Sequence, residues 1–180
     1  MTTHHIQTSS LSYQLFNNPG SAPFWLLIRL YVGYEWFMAG YEKLINPVWF
    51  GASAGAALNG FTQGALAKTA GLHPDVSGWY AAFLQSTVLP NVMVWSNLIV
   101  VGELMVGLGL IVGLFTGVAA FFGGFMNLNF LLAGTVSTNP VLFVLAIGLV
   151  LARRVAGRIG LDHYAAPYLR RLPHATGLRS

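Results

Sequence analysis

The sequence predicts an all-α integral membrane protein, a four-helix bundle with a long extracytoplasmic loop between helices 1 and 2. Three observations predict it. Of the 180 residues, 55% are hydrophobic and only 8% are charged, against about 25% charged in a soluble domain. The mean hydropathy is +0.62. The apolar residues gather into four runs bounded by Pro, Gly or Asn, and the first run has the roughly 20 residues that a bilayer crossing needs. One bundle is all the chain can build, so residues 1–180 are read as a single membrane domain.

The chain opens on polar residues 1–22, which end in the turn Asn17-Asn18-Pro19-Gly20. No basic segment followed by an apolar core is evident there, so no cleavable signal peptide is expected. His4 and His5 are read as surface residues of this end. The first span, about 23–45, stops at Asn46-Pro47, because proline disfavours helix in the residue before it. Residues 46–90 form the outer loop. It holds a glycine-rich stretch, GASAGAALNGFTQGALAKTAGL, expected to be helical in part, then a turn at His73-Pro74-Asp75. The apolar stretch 79–89 is too short to cross and suits an interfacial or re-entrant helix. Trp49, Phe50, Trp79 and Tyr80 resemble interface anchors.

The second span is about 92–114, after Pro90. The third is about 116–134 and the fourth about 140–151. Spans two and three form a tight hairpin, and Gly102, Gly109, Gly113, Gly117 and Gly124 are packing positions where backbones come close. The tail, 152–180, is basic. Arg153, Arg154, Arg158, Arg170 and Arg171 place it in the cytoplasm by the positive-inside rule. Four crossings then put the N-terminus in the cytoplasm as well and the 46–90 loop outside the cell membrane. The net charge of +4 does not indicate nucleic acid, because six of the nine basic residues are arginines of this tail.

Charges within the spans mark the candidate site, since each costs roughly 2.5–3.5 kcal/mol at mid-membrane by insertion scales. At 100° per residue, Arg29, Gly33, Trp36, Gly40 and Lys43 share one side of span one, and Glu35 and Glu42 fall nearly opposite. Lys43 and Glu42 lie near the span's end, where side chains snorkel to the surface. Glu35 lies near mid-membrane. Glu103, inside span two, is the strongest single residue. Its depth is close to that of Glu35, so the two carboxyls are candidates for one cavity and for proton transfer. The alternative is that Glu103 pairs with Arg29 and locks two helices. Asn127 and Asn129, two apart on span three, point to different sides; one is expected to bond a neighbouring helix and the other to line the cavity. Tyr31, Tyr34 and Tyr41 add hydroxyls.

The chain has no cysteine, which removes disulfides and thiolate metal sites. None of its five histidines lies in a span, so no axial ligand for a membrane haem is on offer. No flavin or nicotinamide fingerprint is present. No metal site, haem or flavin is expected, and any redox role must draw on a bound organic carrier or a partner.

Three stretches carry a resemblance. IRLYVGYEWFMAGYEKLINP (28–47), GELMVGLGLIVGLFTG (102–117) and FMNLNFLLAGTVSTNP (125–140) resemble, in order, segments of the DoxX/DoxD membrane family. The last is similar to the DoxD subunit of thiosulfate:quinone oxidoreductase. The resemblance implies a membrane subunit that helps oxidise thiosulfate to tetrathionate and passes electrons to membrane quinone as the bound acceptor. It implies a separate DoxA-like partner, since no such extension follows span four. Thiosulfate is a dianion, and Arg29, Lys43, Lys68 and His73 are the candidate cations at the outer mouth. Glu35 and Glu103 are the candidate proton relays, and Trp36 and Tyr34 the aromatic groups beside a quinone ring. The competing expectation is a non-catalytic anchor or accessory subunit of a respiratory or electron-transfer complex. A transporter is a weaker third, because four spans would require a homodimer.

Overall fold

The computed structural model describes residues 10–169, and every regular element among them is helical. His4, His5, Arg170 and Arg171 lie outside the described residues. A short helix α1 (Leu11–Phe16) precedes the long α2 (Ala22–Leu44). Pro23 stands in the first turn of α2, where its missing N–H costs nothing. The Trp25 indole and the Ser21 hydroxyl both donate to the Leu15 carbonyl, at 2.7 and 2.8 Å, and fold α1 back onto α2. The helix ends at Ile45, before Asn46-Pro47, as the proline requires.

Two helices follow in the segment expected as the outer loop: α3 (Ala56–Ala67) and α4 (Gly78–Phe83). From α4 the chain does not break. One helical run of 35 residues continues from Gly78 to Val112 and is long and apolar enough to cross a membrane. It includes α5 (Val92–Val112). The sequence reading put a separate short helix at 79–89 and a fresh start after Pro90; the structure corrects this. Pro90 lacks an N–H and crowds the carbonyl four residues back. The run absorbs it by widening to a π-turn at Leu84–Val88 and tightening to a 3₁₀ turn at Leu89–Asn91. The Thr87 carbonyl then accepts from the Asn91 amide at 3.3 Å and the Trp95 indole at 3.1 Å, so it is not left bare.

The chain completes its bundle with α6 (Thr116–Leu132) and α7 (Asn139–Leu151), then two short helices, α8 (Arg153–Ala156) and α9 (Asp162–Leu169). α2 packs along α5, α5 against α6, α6 against α7, and α7 returns to α2. The closest approach is at Gly107, where a Cβ would stand 2.5 Å from the Phe37 backbone nitrogen. Only glycine fits there.

Two apolar cores result. One fills the bundle with Trp25, Val32, Trp36, Val106, Leu110 and Leu149. The other, with Leu58, Val76, Tyr80, Leu84 and Ala133, lies under α3 and α4. Residues 46–90 are therefore a packed cap on one end of the bundle. At the other end the α5–α6 turn uses Gly113, at φ +68°, a conformation that favours glycine.

Candidate functional site

The most buried charge on α5 is Glu103, 1% exposed. Its two oxygens accept from the Lys43 ammonium at 2.9 and 2.8 Å. Lys43 does not snorkel outward. Its stem turns back along α2, its ammonium also reaches the Ala39 carbonyl at 3.4 Å, and it sits 5.3 Å from the Trp49 ring centroid. Trp49 is fastened in turn, because Ser96, fully buried on α5, donates to its carbonyl at 2.6 Å. Gly40 brings the helices together at this level: a Cβ there would stand 3.1 Å from the Glu103 Cβ. The partner of Glu103 is therefore Lys43, not Arg29, the partner named in the alternative reading.

Several buried polar atoms of the bundle and its cap have no partner among the described residues. Asn127 on α6 is fully buried, and neither its amide nitrogen nor its oxygen is bonded. Its neighbour Met126 touches the position of Gly102, so Asn127 stands at the depth of Glu103. The Trp36 indole N–H, one turn down α2 from Gly40, is also unpartnered and faces Gly123 of α6. Trp36 stacks on Phe130 at 6.5 Å, and Phe130 meets Phe61 of α3 edge-on at 6.0 Å. Thr62, next to Phe61, is fully buried with a free hydroxyl. Asn129 behaves differently, accepting the Tyr80 hydroxyl on its carbonyl at 2.9 Å.

The remaining expected site residues are elsewhere. Arg29 is 14 residues before Lys43, about 21 Å along the helix axis. It is buried at the other end, where its guanidinium donates to the carbonyls of Ala156 at 3.1 Å and Ile159 at 2.6 Å. The layer of Val32, Val106 and Leu110 separates it from Glu103. Glu35 is five residues before Gly40, about 7.5 Å deeper. It is half-buried and has no hydrogen bond or ion pair among the described residues. Tyr34 is 57% exposed on the outward side of α2 and does not flank Trp36 across a ring. Lys68 donates to the Gly134 carbonyl at 2.7 Å and His73 is exposed beyond α3. Spacing put Arg29 and Lys43 on one face correctly, but a face says nothing about which end of it a partner reaches.

Sequence reasoning missed Thr62, Phe130 and Asp162. Asp162 accepts the N–H groups of Phe115 and Thr116 at 2.6 and 2.9 Å and closes the start of α6. The one signal for it was its isolation, as the only acidic residue after the fourth apolar run.

The bundle is apolar, encloses a buried ion pair, and carries one helical run long and apolar enough to cross a bilayer. The family model described as DoxX matches residues 24–135, and the chain belongs to the DoxX family. The match is to DoxX as a whole rather than to its DoxD branch. No curated protein and no solved structure matches the chain.

Proposed function

We propose that α2, α5, α6 and α7 cross the bilayer, with both chain ends in the cytoplasm and residues 46–90 outside. In this reading the chain is the quinone-side membrane subunit of a thiosulfate:quinone oxidoreductase-like system. The observation that carries it is the unused hydrogen-bonding capacity of Trp36 and Asn127, buried in the same bundle as the Lys43–Glu103 pair. A buried polar group without a partner is uncommon and asks for one. A quinone carbonyl accepts from an indole or amide N–H, and its flat head suits the Trp36–Phe130 stack.

Reducing a quinone takes two electrons and two protons. Glu103 is the group placed to relay protons and Lys43 the one to stabilise negative charge developing on a quinone oxygen. The electrons come from two thiosulfate dianions, joined through a new S–S bond into tetrathionate. That half-reaction is assigned to a separate DoxA-like partner, because Arg29 is at the far end and Lys68 is bonded to the Gly134 carbonyl.

The test is thiosulfate-dependent reduction of a soluble quinone analogue by membranes containing the chain and its partner. Glu103→Gln is expected to lower kcat by about 10²-fold, the scale of general acid–base catalysis. Trp36→Phe is expected to raise KM more than it lowers kcat. Equal rates in membranes lacking the chain would end this reading.

A second reading, an accessory subunit anchoring a respiratory complex, is favoured by one observation. Arg29 holds the backbone carbonyls of Ala156 and Ile159 at one end of the bundle, and such a group can join helices without chemistry. There, both substitutions alter assembly with protein partners and leave turnover per assembled complex unchanged.

A further inference from the structure

We propose a binding site for an anionic phospholipid at the Arg153 end of the bundle, with the phosphate against Arg153 and an acyl chain between α6 and α7. A cavity of about 400 Å³ opens at this end, walled by Phe115, Thr116, Gly117, Arg153 and Asp162 among others. A second hollow of about 240 Å³ lies between α6 and α7, and every residue lining it is apolar. Phe121 lines both, and Leu151 of the groove is two residues from Arg153 of the cavity. The groove reaches from Leu151 to Phe143, about 12 Å along α7. That is most of one leaflet's hydrocarbon depth of roughly 15 Å.

The cavity has the chemistry of a phosphate seat. Arg153 is exposed, and its guanidinium makes one long bond, 3.4 Å to the Val150 carbonyl. Its stem lies over Gly117, where a Cβ would stand 2.9 Å from the Arg153 Cβ. Thr116, fully buried in the cavity wall, has a hydroxyl with no partner among the described residues. Thr116 and Gly117 belong to the first turn of α6, a 17-residue helix. The Asp162 carboxylate opposes an anion, but both its oxygens are spent on the Phe115 and Thr116 N–H groups, and Arg29 faces it from α2. Arg154 and Arg158 are exposed at the same end and keep it basic. Basic pockets opening between helices at the cytoplasmic surface take anionic lipid headgroups.

The inference needs the bilayer embedding alone; the quinone reading concerns the other end of α2 and stands or falls separately. The test is native mass spectrometry of the delipidated full chain in detergent, titrated with dioleoyl-phosphatidylglycerol or dioleoyl-phosphatidylcholine. The glycerol lipid is expected to bind about tenfold more tightly. Arg153→Gln is expected to erase that preference and Thr116→Val to weaken it, while Arg158→Gln, outside the cavity, keeps it. Dihexanoyl-phosphatidylglycerol, too short to fill the groove, is expected to bind about tenfold more weakly. Equal binding of the two dioleoyl lipids, identical behaviour of Arg153→Gln and Arg158→Gln, or equal binding of the short-chain lipid would overturn the proposal.

Discussion

Lys43 stands in the last turn of α2, where a lysine in a membrane helix ordinarily extends outward to water. Here it folds inward, because Glu103 is buried opposite Gly40 and a lone carboxylate in that position is costly. The two groups meet in a bidentate arrangement that satisfies both carboxylate oxygens. Removing one partner of a buried pair costs about 3–5 kcal/mol, whereas replacing both by apolar groups is often neutral. Lys43→Met and Glu103→Gln are each expected to destabilise the chain in detergent on that scale. The double variant should cost less than the sum by about 1–3 kcal/mol, a coupling typical of residues in contact. Denaturant titration followed by circular dichroism measures it, and additive costs would mean that the contact contributes nothing. The sequence made Glu103 legible as a buried group through its apolar flanks. It could not show the partner, because Arg29 and Lys43 lie on one helical face and only the register of α2 on α5 decides between them.

At the scale of elements, that register is set by glycines, and they are not equivalent. Gly102 has open surroundings, its would-be Cβ touching only the sulfur of Met126 at 3.4 Å. Gly107 lies against the Phe37 backbone itself. Alanine favours helix over glycine by about 1 kcal/mol, so Gly102→Ala is expected to leave the thermal midpoint unchanged or raise it. Gly107→Ala must push α2 and α5 apart, an overpacking cost of about 1–3 kcal/mol, and should lower the midpoint. Equal effects would mean that the helices adjust freely along this line. Composition and spacing identify such glycines as packing positions, yet nothing local marks Gly107 as the closest approach. The π-turn is a further case. Pro90 reads locally as a boundary, yet the helix runs through it, and Trp95, eight residues beyond Thr87, donates to the Thr87 carbonyl across the irregular turn. No local pattern carries that information.

In the whole molecule the two ends differ in kind. One end is capped by α3 and α4 over their own apolar core, with Lys68, His73 and Asp75 on the connecting stretch. The other is closed by backbone: Leu161 and Asp162 donate to the carbonyls of Val112 and Gly113 at 3.1 and 2.7 Å, and Arg29 clasps Ala156 and Ile159 from within. Arg153, Arg154 and Arg158 are exposed at this closed end. Arginines close to the ends of spans stay on the cytoplasmic side, so the capped end is expected to face outward. The absence of cysteine makes this directly measurable. Single substitutions Ala70→Cys, on the exposed α3–α4 connection, and Arg158→Cys, beyond α8, each introduce one thiol. A membrane-impermeant maleimide added to intact cells should label Ala70→Cys at once and Arg158→Cys only after permeabilisation. The reverse pattern would invert the chain in the membrane and put the Arg153 cavity in contact with the outer leaflet.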